Sequence, residues 1–203
     1  MTFFIQLLVI GLIVGSIYAL IALGFVLIYK ASGVFNFAQG DFVMIGAYVV
    51  WALIMQLGLP IWAGILLAFV IMIAMGFAVE RFALRPMIGQ SILAIIMMTI
   101  GLGYFIKGII LVIWGAIYRP YPSFMPTGAS EIGEISMSHH HIVMFLVAMA
   151  AFIAFAFYFQ RSRVGLQMRG VSEDHQLAQS TGISVTRIFG ITWAMAAVAA
   201  LIG

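Results

Sequence analysis

The sequence predicts an all-α integral membrane protein, a polytopic helical bundle with about six spans, the last of them incomplete. Of its 203 residues, 65% are hydrophobic and only 7% are charged, whereas a soluble domain carries about 25% charged residues. The apolar runs approach or exceed the roughly 20 residues that cross a bilayer as a helix. They are continuous rather than alternating, which argues against a membrane β-barrel. The absence of cysteine from the sequence excludes disulfides and thiolate metal sites.

Six apolar segments define the predicted spans. The first lacks a preceding basic segment and is too long for the apolar core of a signal peptide, so it is predicted to be a retained span. The last is still apolar where the sequence stops, and it is predicted to be cut short. The approximate bounds are Phe3–Tyr29, Phe42–Leu57, Leu59–Val79, Ser91–Ile117, His141–Phe159 and Ile188–Gly203.

Basic residues concentrate on one side of this predicted topology. Arg119 falls on the opposite side and Lys107 lies within span four. Because basic loops remain cytoplasmic, the N-terminus is predicted to lie outside, unless residues 33–41 form a re-entrant segment. Residues 1–203 then form a single membrane domain, with a cytoplasmic loop at about 161–187 and an outer loop at about 118–140. The basic residues after spans one, three and five are Lys30, Arg81, Arg85, Arg161, Arg163, Arg169 and Arg187.

A polar cluster opens the second span. Asn36, Gln39, Gly40 and Asp41 stand close together in an otherwise apolar region. A helix beginning near Ala38 would direct its free N–H groups forward, and the positive end of its dipole suits a carboxylate. Polar groups within spanning segments usually face the bundle interior and mark pathways. A polar cytoplasmic turn between spans one and two explains the composition as well.

The fourth span carries a second polar set. Thr99, Gly103 and Lys107 recur every four residues, which places them on one face of a helix. An ammonium group in hydrocarbon is costly unless it pairs or reaches the interface. This face is predicted either to pack against another helix or to line a path through the bundle.

The cytoplasmic loop contains one predicted short helix of about nine residues. Ser172 is its candidate N-cap, and Glu173 and Asp174 occupy the first turn, where the helix dipole favours negative charge. Gly182 closes the helix as a residue with positive φ. Because so short a helix is not stable alone in water, the flanking spans and a partner protein are predicted to hold it. The alternative is an ordinary amphipathic connector.

Other patterns are interpreted as structural. Glu80 and Arg81 are predicted to pair at the end of span three. The three histidines at residues 139–141 are predicted to bind no metal, because neighbours on a helix point about 100° apart. The phosphate-binding pattern GxxxxGK[ST] does not occur in the sequence, so any energy from ATP must come from another chain.

Three stretches of the chain carry specific motifs. They read GSIYALIALGFVLIYKASGVFNFAQGDFVMIGAY, MTIGLGYFIKGIILVIWG and VGLQMRGVSEDHQLAQSTGISVTRIFGITWAMAAVAALIG. Together they resemble the LivH/LivM group of permease subunits of bacterial branched-chain amino acid ABC transporters. The third stretch departs from the family pattern at Gly170, where alanine is usual, and at Ala200, where glycine is frequent. The resemblance implies ATPase coupling by Gly165, Arg169, Glu173, Asp174, Ala178, Gly182 and Ile183.

The resemblance implies a permease that is not itself an enzyme and carries no cofactor. Partner subunits would use ATP, and their closure would push the short loop helix and rock the spans in alternating access. The implied location is the bacterial inner (plasma) membrane, and no nucleic acid is expected to bind. The implied partners are a second permease subunit, cytoplasmic ATP-binding subunits, an extracytoplasmic solute-binding protein and membrane lipid. The residues predicted to line the substrate path are Asn36, Gln39, Gly40, Asp41, Thr99, Gly103 and Lys107.

Three alternatives stay open on sequence. A permease for urea or short amides would share these motifs, since specificity lies largely in the binding protein. A carrier or channel working without ATP would favour acidic residues deep within the spans, and none of the six acidic residues is predicted to lie there. A non-transporting scaffold would not need the capped loop helix.

Overall fold

The computed structural model describes residues 2–117, 119–120, 129–132 and 135–203, most of which are helical. The elements are α1 Thr2–Ser32, α2 Gln39–Trp51, a π-helical turn Ala52–Gln56, α3 Ile61–Val79, a π-helical turn Glu80–Leu84, a 3₁₀ turn Arg85–Met87, α4 Ile92–Trp114, β1 Ala129–Ile132, β2 Ile135–Ser138, α5 His139–Arg161, α6 Arg163–Glu173, α7 His175–Ser180 and α8 Val185–Ile202.

Six helices of the described chain are long and apolar enough to cross a membrane, which confirms the predicted helical bundle. The predicted bounds lie within a few residues of these spans, except that the third continues through its π-helical and 3₁₀ turns. The six spans are Phe4–Ser32, Gln39–Gln56, Ile61–Met87, Ile92–Trp114, His141–Arg161 and Val185–Ile202.

Local sequence signals set several helix ends. Gly33 follows α1 with a φ of 68°, and its N–H donates to the carbonyl of Tyr29 at 2.8 Å. Glycine adopts this left-handed conformation without the steric penalty of a Cβ. Ser91 caps α4, since its hydroxyl accepts a hydrogen bond from the N–H of Ala94 at 3.3 Å. Pro60 precedes α3 with a φ of −59°, the value that its ring fixes.

A short antiparallel hairpin separates α4 from α5, in a region predicted to be loop. Ala129 of β1 pairs with Ser138 of β2, and Ile132 pairs with Ile135. The predicted outer loop at about 118–140 therefore contains two strands and the first residues of α5. Its residues 118, 121–128 and 133–134 lie outside the described residues.

The last helix, α8, lies at the centre of the bundle. Of its spanning window 61% is buried, against 6% for the window of α5. A Cβ placed on Gly76 of α3 would lie 2.6 Å from the Cα of Ala194 and 2.7 Å from the carbonyl oxygen of Trp193. The backbones of α3 and α8 therefore touch, as small residues permit in membrane helices.

The basic residues that follow the odd-numbered spans mark one end of the bundle, which we call the basic end. The ammonium of Lys30 lies 5.8 Å from the ring centroid of Phe159, so the last turns of α1 and α5 meet there. The loop helices α6 and α7 and the first turn of α8 lie at the same end, where Met168, Ala178 and Val185 join the core. That this end faces the cytoplasm stays a prediction.

The predicted pair between Glu80 and Arg81 is wrong, because Glu80 pairs with Arg85. Nη2 of Arg85 lies 3.1 Å from Oε2 of Glu80, and Nε donates to Oε1 at 3.3 Å. The π-helical turn bonds residues five apart rather than four, and it brings residue 85 over residue 80. Glu80 is buried against α8, where a Cβ on Gly190 would lie 3.7 Å from Oε2.

Candidate functional site

Asn36 and Gln39 are fully buried and fix the start of α2. Oδ1 of Asn36 accepts from the N–H of Ala38 at 3.1 Å, and Nδ2 donates to Oε1 of Gln39 at 3.3 Å. Nε2 of Gln39 donates to the carbonyl of Ala196 in α8 at 3.1 Å. The buried polar atoms of the two amides thus find partners in each other and in the backbone, and they tie the loop before α2 to the central helix.

The side chains of the segment between α1 and α2 alternate between exposed and buried. Phe35 and Phe37 are about half exposed, whereas Asn36 and Ala38 are buried, and the N–H of Gln39 closes a turn on the carbonyl of Asn36 at 3.2 Å. Phe35 stacks on Tyr29 of α1 with ring centroids 4.4 Å apart. The chain therefore folds back along α1 after leaving it.

Three neighbours place the start of α2 near the middle of the bundle. Gln39 packs against Gly24, since a Cβ there would lie 2.8 Å from Cδ of Gln39. At 1.5 Å per residue, Gly24 stands about 12 Å before the end of α1. Ala196, which bonds Gln39, and Gly103, which contacts Asp41, each stand about 17 Å beyond the starts of α8 and α4 respectively. Since the hydrocarbon core is about 30 Å thick, α2 begins roughly halfway across it. This geometry favours an intramembrane element over a polar turn at the membrane surface.

Asp41, in the first turn of α2, pairs with Lys107 of α4. Oδ1 and Nζ are 3.3 Å apart, and the ammonium also lies 5.2 Å from the ring centroid of Tyr104. Gly103 makes room for the carboxylate, because a Cβ there would collide with Oδ2 and lie 3.3 Å from Cγ of Asp41. The side chain of Asp41 is 13% exposed and that of Lys107 is 55% exposed. The carboxylate is thus enclosed, while the ammonium reaches the surface of this chain.

The other predicted path residues occupy separate places. Thr99 is buried, and its hydroxyl donates to the carbonyl of Ile96 within α4 at 2.9 Å. Gly40 is exposed, and a Cβ there would meet no described atom within 4 Å. That these residues touch a solute stays a prediction. The residues that the structure brings into one cluster are Asn36, Gln39, Asp41, Gly103 and Lys107.

The predicted loop helix begins in the wrong place, because two helices occupy the loop. Ser162 caps α6 by accepting from the N–H of Gly165 at 2.9 Å. Asp174 caps α7 by accepting from the N–H of Leu177 at 3.0 Å. Ser172, the predicted N-cap, lies in the last turn of α6 instead. Aspartate and serine are equally good N-caps, so local preference alone does not choose between the two positions.

The predicted end of the loop helix is confirmed. Gly182 follows α7 with a φ of 84°, and the N–H of Ile183 returns to the carbonyl of Ala178 at 3.0 Å. This is the pattern of hydrogen bonds that closes a helix at glycine. Glu173, predicted in the first turn of the loop helix, is the last residue of α6 and is exposed.

α6 is anchored on the end of α5. A Cβ on Gly165 would collide with the carbonyl oxygen of Phe159 and lie 2.7 Å from its carbonyl carbon. Nη1 of Arg169 donates to the same carbonyl at 2.6 Å, and its guanidinium lies 5.4 Å from the Phe159 ring centroid. Gly165 and Arg169 therefore fasten the loop to a membrane span.

Among the described residues, no group of three or more His, Cys, Asp or Glu side chains is placed to hold a metal ion.

Sequence reasoning missed Gly24 and Ala196, against which Gln39 packs. A glycine among bulky residues in IALGFVL was the available signal for Gly24, since small residues mark close approach in membrane helices. The carbonyl of Ala196 carries no signal in the sequence, because every residue of a helix offers one.

Comparison with known proteins gives one consistent family. The family model for the permease component of branched-chain amino acid transport systems matches residues 7–203 of this chain. The high-affinity branched-chain amino acid transport system permease protein BraD of Pseudomonas aeruginosa is 30% identical over 215 residues, 98% of this chain and 70% of the relative. LivH, the corresponding permease protein of Escherichia coli K12, is 32% identical over 216 residues with the same coverage.

A more distant relative and the solved structures complete the comparison. The probable branched-chain amino acid transport permease protein LivH of Methanocaldococcus jannaschii is 26% identical over 198 residues, 93% of this chain and 62% of the relative. No solved structure matches the chain significantly. Given six apolar helices and a family match over nearly its whole length, the chain is a multi-pass membrane protein that belongs to the family of branched-chain amino acid transport system permease components.

Proposed function

We propose that this chain is the permease subunit of an ABC importer that moves branched-chain amino acids across the bacterial inner membrane. The relatives named above are permease proteins of branched-chain amino acid transport systems. The observation that most supports the proposal is that the loop helices α6 and α7 pack firmly against the spans at the basic end. An ATP-binding subunit needs such a rigid contact element to move the membrane helices.

The loop helices connect two spans mechanically. α6 is fastened to α5 through Arg169 and the carbonyl of Phe159. α7 is fastened to the central helix, because Ala178 is buried in the same core cluster as Val185 and Ile188 of α8. A push on α7 therefore reaches α5 and α8 together.

Two apolar side chains of the loop helices remain uncovered within this chain. Leu166 of α6 is 63% exposed and Leu177 of α7 is 65% exposed. Exposed apolar side chains on a polar loop are suited to a protein partner. We assign this contact to a separate cytoplasmic ATP-binding subunit, because the sequence has no phosphate-binding loop of its own.

The proposed complex contains further subunits. A second permease subunit would shield from lipid the face of the bundle on which Lys107 is exposed, because an ammonium cannot face lipid at low cost. An extracytoplasmic solute-binding protein would deliver the amino acid on the side opposite the basic end. The permease itself would use no cofactor, and ATP would be bound by the partner.

Cysteine crosslinking tests the docking surface, and the chain offers a clean background because it contains no cysteine. Leu177→Cys is expected to crosslink to a cysteine on the co-expressed ATP-binding subunit, with a yield that changes when ATP is added. The matched control is Ala178→Cys, which is expected to give little product because the side chain of Ala178 is only 5% exposed. An intact complex in which Leu177→Cys gives no more crosslink than Ala178→Cys would refute the assigned contact.

A further inference from the structure

The ion pair of Asp41 and Lys107 lies within the membrane-spanning part of the bundle. Lys107 stands about 23 Å from the start of α4 and about 10 Å from its end at 1.5 Å per residue. Asp41 reaches it from α2, which begins near half depth. Glu80 and Arg85 form an ion pair in the last turns of the span Ile61–Met87, toward the basic end, and the other charged positions of the described residues stand at the ends of spans or in loops. The Asp41–Lys107 pair, at 3.3 Å, therefore needs its own explanation.

Escape of the ammonium to the nearer membrane surface does not explain the pair. Side chains on a helix point toward its N-terminus, and for α4 that direction leads to the basic end, the farther surface. Asp41 holds Nζ of Lys107 in this direction. The carboxylate of Asp41 packs against Gly103, which lies one helical turn nearer the basic end than Lys107. The ammonium is thus directed toward mid-depth, where exposure to lipid is costly.

The surroundings of the pair are polar and open. Asn36 and Gln39 lie within five residues of Asp41 and bring amide groups to the same level. Cβ atoms placed on Gly40 and Gly108, the neighbours of Asp41 and Lys107, would meet no described atom within 4 Å. Two opposite charges with free space beside both are suited to a small ligand that itself carries two opposite charges.

We propose that Asp41 and Lys107 form the subsite that receives the charged groups of a free α-amino acid. The α-ammonium of the solute pairs with the Asp41 carboxylate, and its α-carboxylate pairs with the Lys107 ammonium. One ion pair of the protein is exchanged for two ion pairs with the solute, so no net charge is added at mid-depth. This subsite does not contact the side chain of the solute and does not discriminate between side chains.

This inference rests on the proposed function. It adds a physical basis on which the permease selects zwitterionic solutes over neutral ones. A neutral amide or urea offers neither charge, so it leaves the Asp41–Lys107 pair closed. Charged sites reject ligands that lack the matching groups, because buried polar groups are then left unpaired.

The first test removes both charges at once. Asp41→Asn with Lys107→Gln keeps the shape of both side chains and strands neither charge, so folding and assembly of the complete transporter are preserved. Leucine uptake by that transporter is expected to fall at least about tenfold, the scale on which sites reject poorly matched ligands. Uptake within about twofold of the wild type, from an equal amount of complex, would overturn the subsite.

The second test measures proximity to the solute directly. In the complete transporter, Gly40→Cys keeps both charges and places a thiol in the open space beside Asp41. It is expected to react with the charged reagent sulfonatoethyl methanethiosulfonate, and millimolar leucine is expected to slow that reaction. The control is Phe105→Cys, which lies on the face of α4 opposite Lys107 and is 64% exposed, and it should stay unlabelled and transport normally. Labelling of Gly40→Cys that leucine does not slow, or equal labelling at both positions, would overturn the subsite.

Wild-type transport separates failure of this inference from failure of the proposed function. Normal uptake of leucine by both the wild type and the double variant would reject the subsite and leave the proposed function intact. A wild-type complex that imports no branched-chain amino acid with ATP would reject the proposed function, and the subsite with it.

Discussion

Replacing Gly76 with alanine is expected to destabilise the protein by about 1–3 kcal/mol, the usual cost of overpacking. The new methyl group would lie 2.6 Å from the Cα of Ala194 and 2.7 Å from the carbonyl oxygen of Trp193. Because these are backbone atoms, α3 and α8 must separate to admit it. The loss is large because α8 has the most buried window of the six spans. The midpoint of thermal unfolding of the purified permease in detergent measures it.

Gly101→Ala is the matched control for this substitution. Gly101 also lies within a spanning helix, but a Cβ there would meet no described atom within 4 Å. Its midpoint is expected to stay the same or to rise, since alanine favours a helix over glycine by up to about 1 kcal/mol. Equal losses in the two variants would contradict a backbone contact between α3 and α8.

Gln39→Ala is expected to lower the stability of the permease by about 2–3 kcal/mol, since buried groups would lose their partners and a cavity would form. Nδ2 of Asn36 would lose its acceptor, and the carbonyl of Ala196 would lose its side-chain donor. The start of α2 would no longer be fixed to α8. We expect the thermal midpoint to fall and leucine uptake to fall with it.

Gln56→Ala tests whether the effect belongs to the buried network. Oε1 of Gln56 also accepts a hydrogen bond, from Nε1 of Trp114 at 3.2 Å, but the residue is exposed. Exposed substitutions usually change stability by about 0.5 kcal/mol or less. If Gln39→Ala were as mild as Gln56→Ala, the buried amides would not fix the start of α2.

The spans were predictable from sequence because hydropathy is a local property of the chain. The depth at which α2 begins was not, because it is set by contacts with three other helices. Gln39 rests on Gly24 and Ala196, which stand far from it along the chain. The sequence shows that residues 36–41 are polar, but it does not show whether they lie at the surface or at mid-depth.

The loop illustrates a second limit of sequence reasoning. Ser162, Ser172 and Asp174 are all good N-cap residues, and the pattern after Ser172 fits a helix start. The structure uses Ser162 and Asp174, because Gly165 and Arg169 dock α6 on the carbonyl of Phe159. Tertiary contacts therefore decide between caps of similar local strength. The closing Gly182 was predictable, since its positive φ is a local requirement.

The mistaken partner of Glu80 has a geometric origin. Sequence adjacency suggested Arg81, and a regular helix would have favoured a residue three or four positions away. The π-helical turn changes that spacing to five and brings Arg85 to the carboxylate. This turn could not be predicted from the sequence, because its residues are ordinary helix formers.

The most direct measurement is uptake of radiolabelled leucine into proteoliposomes that contain the complete transporter built around this chain. With the solute-binding protein outside and ATP inside, we expect leucine to accumulate. Accumulation should cease when the ATP-binding subunits are replaced by hydrolysis-deficient variants. Leucine entry that persists without ATP hydrolysis, or a complex that accumulates urea and not leucine, would contradict a branched-chain amino acid importer.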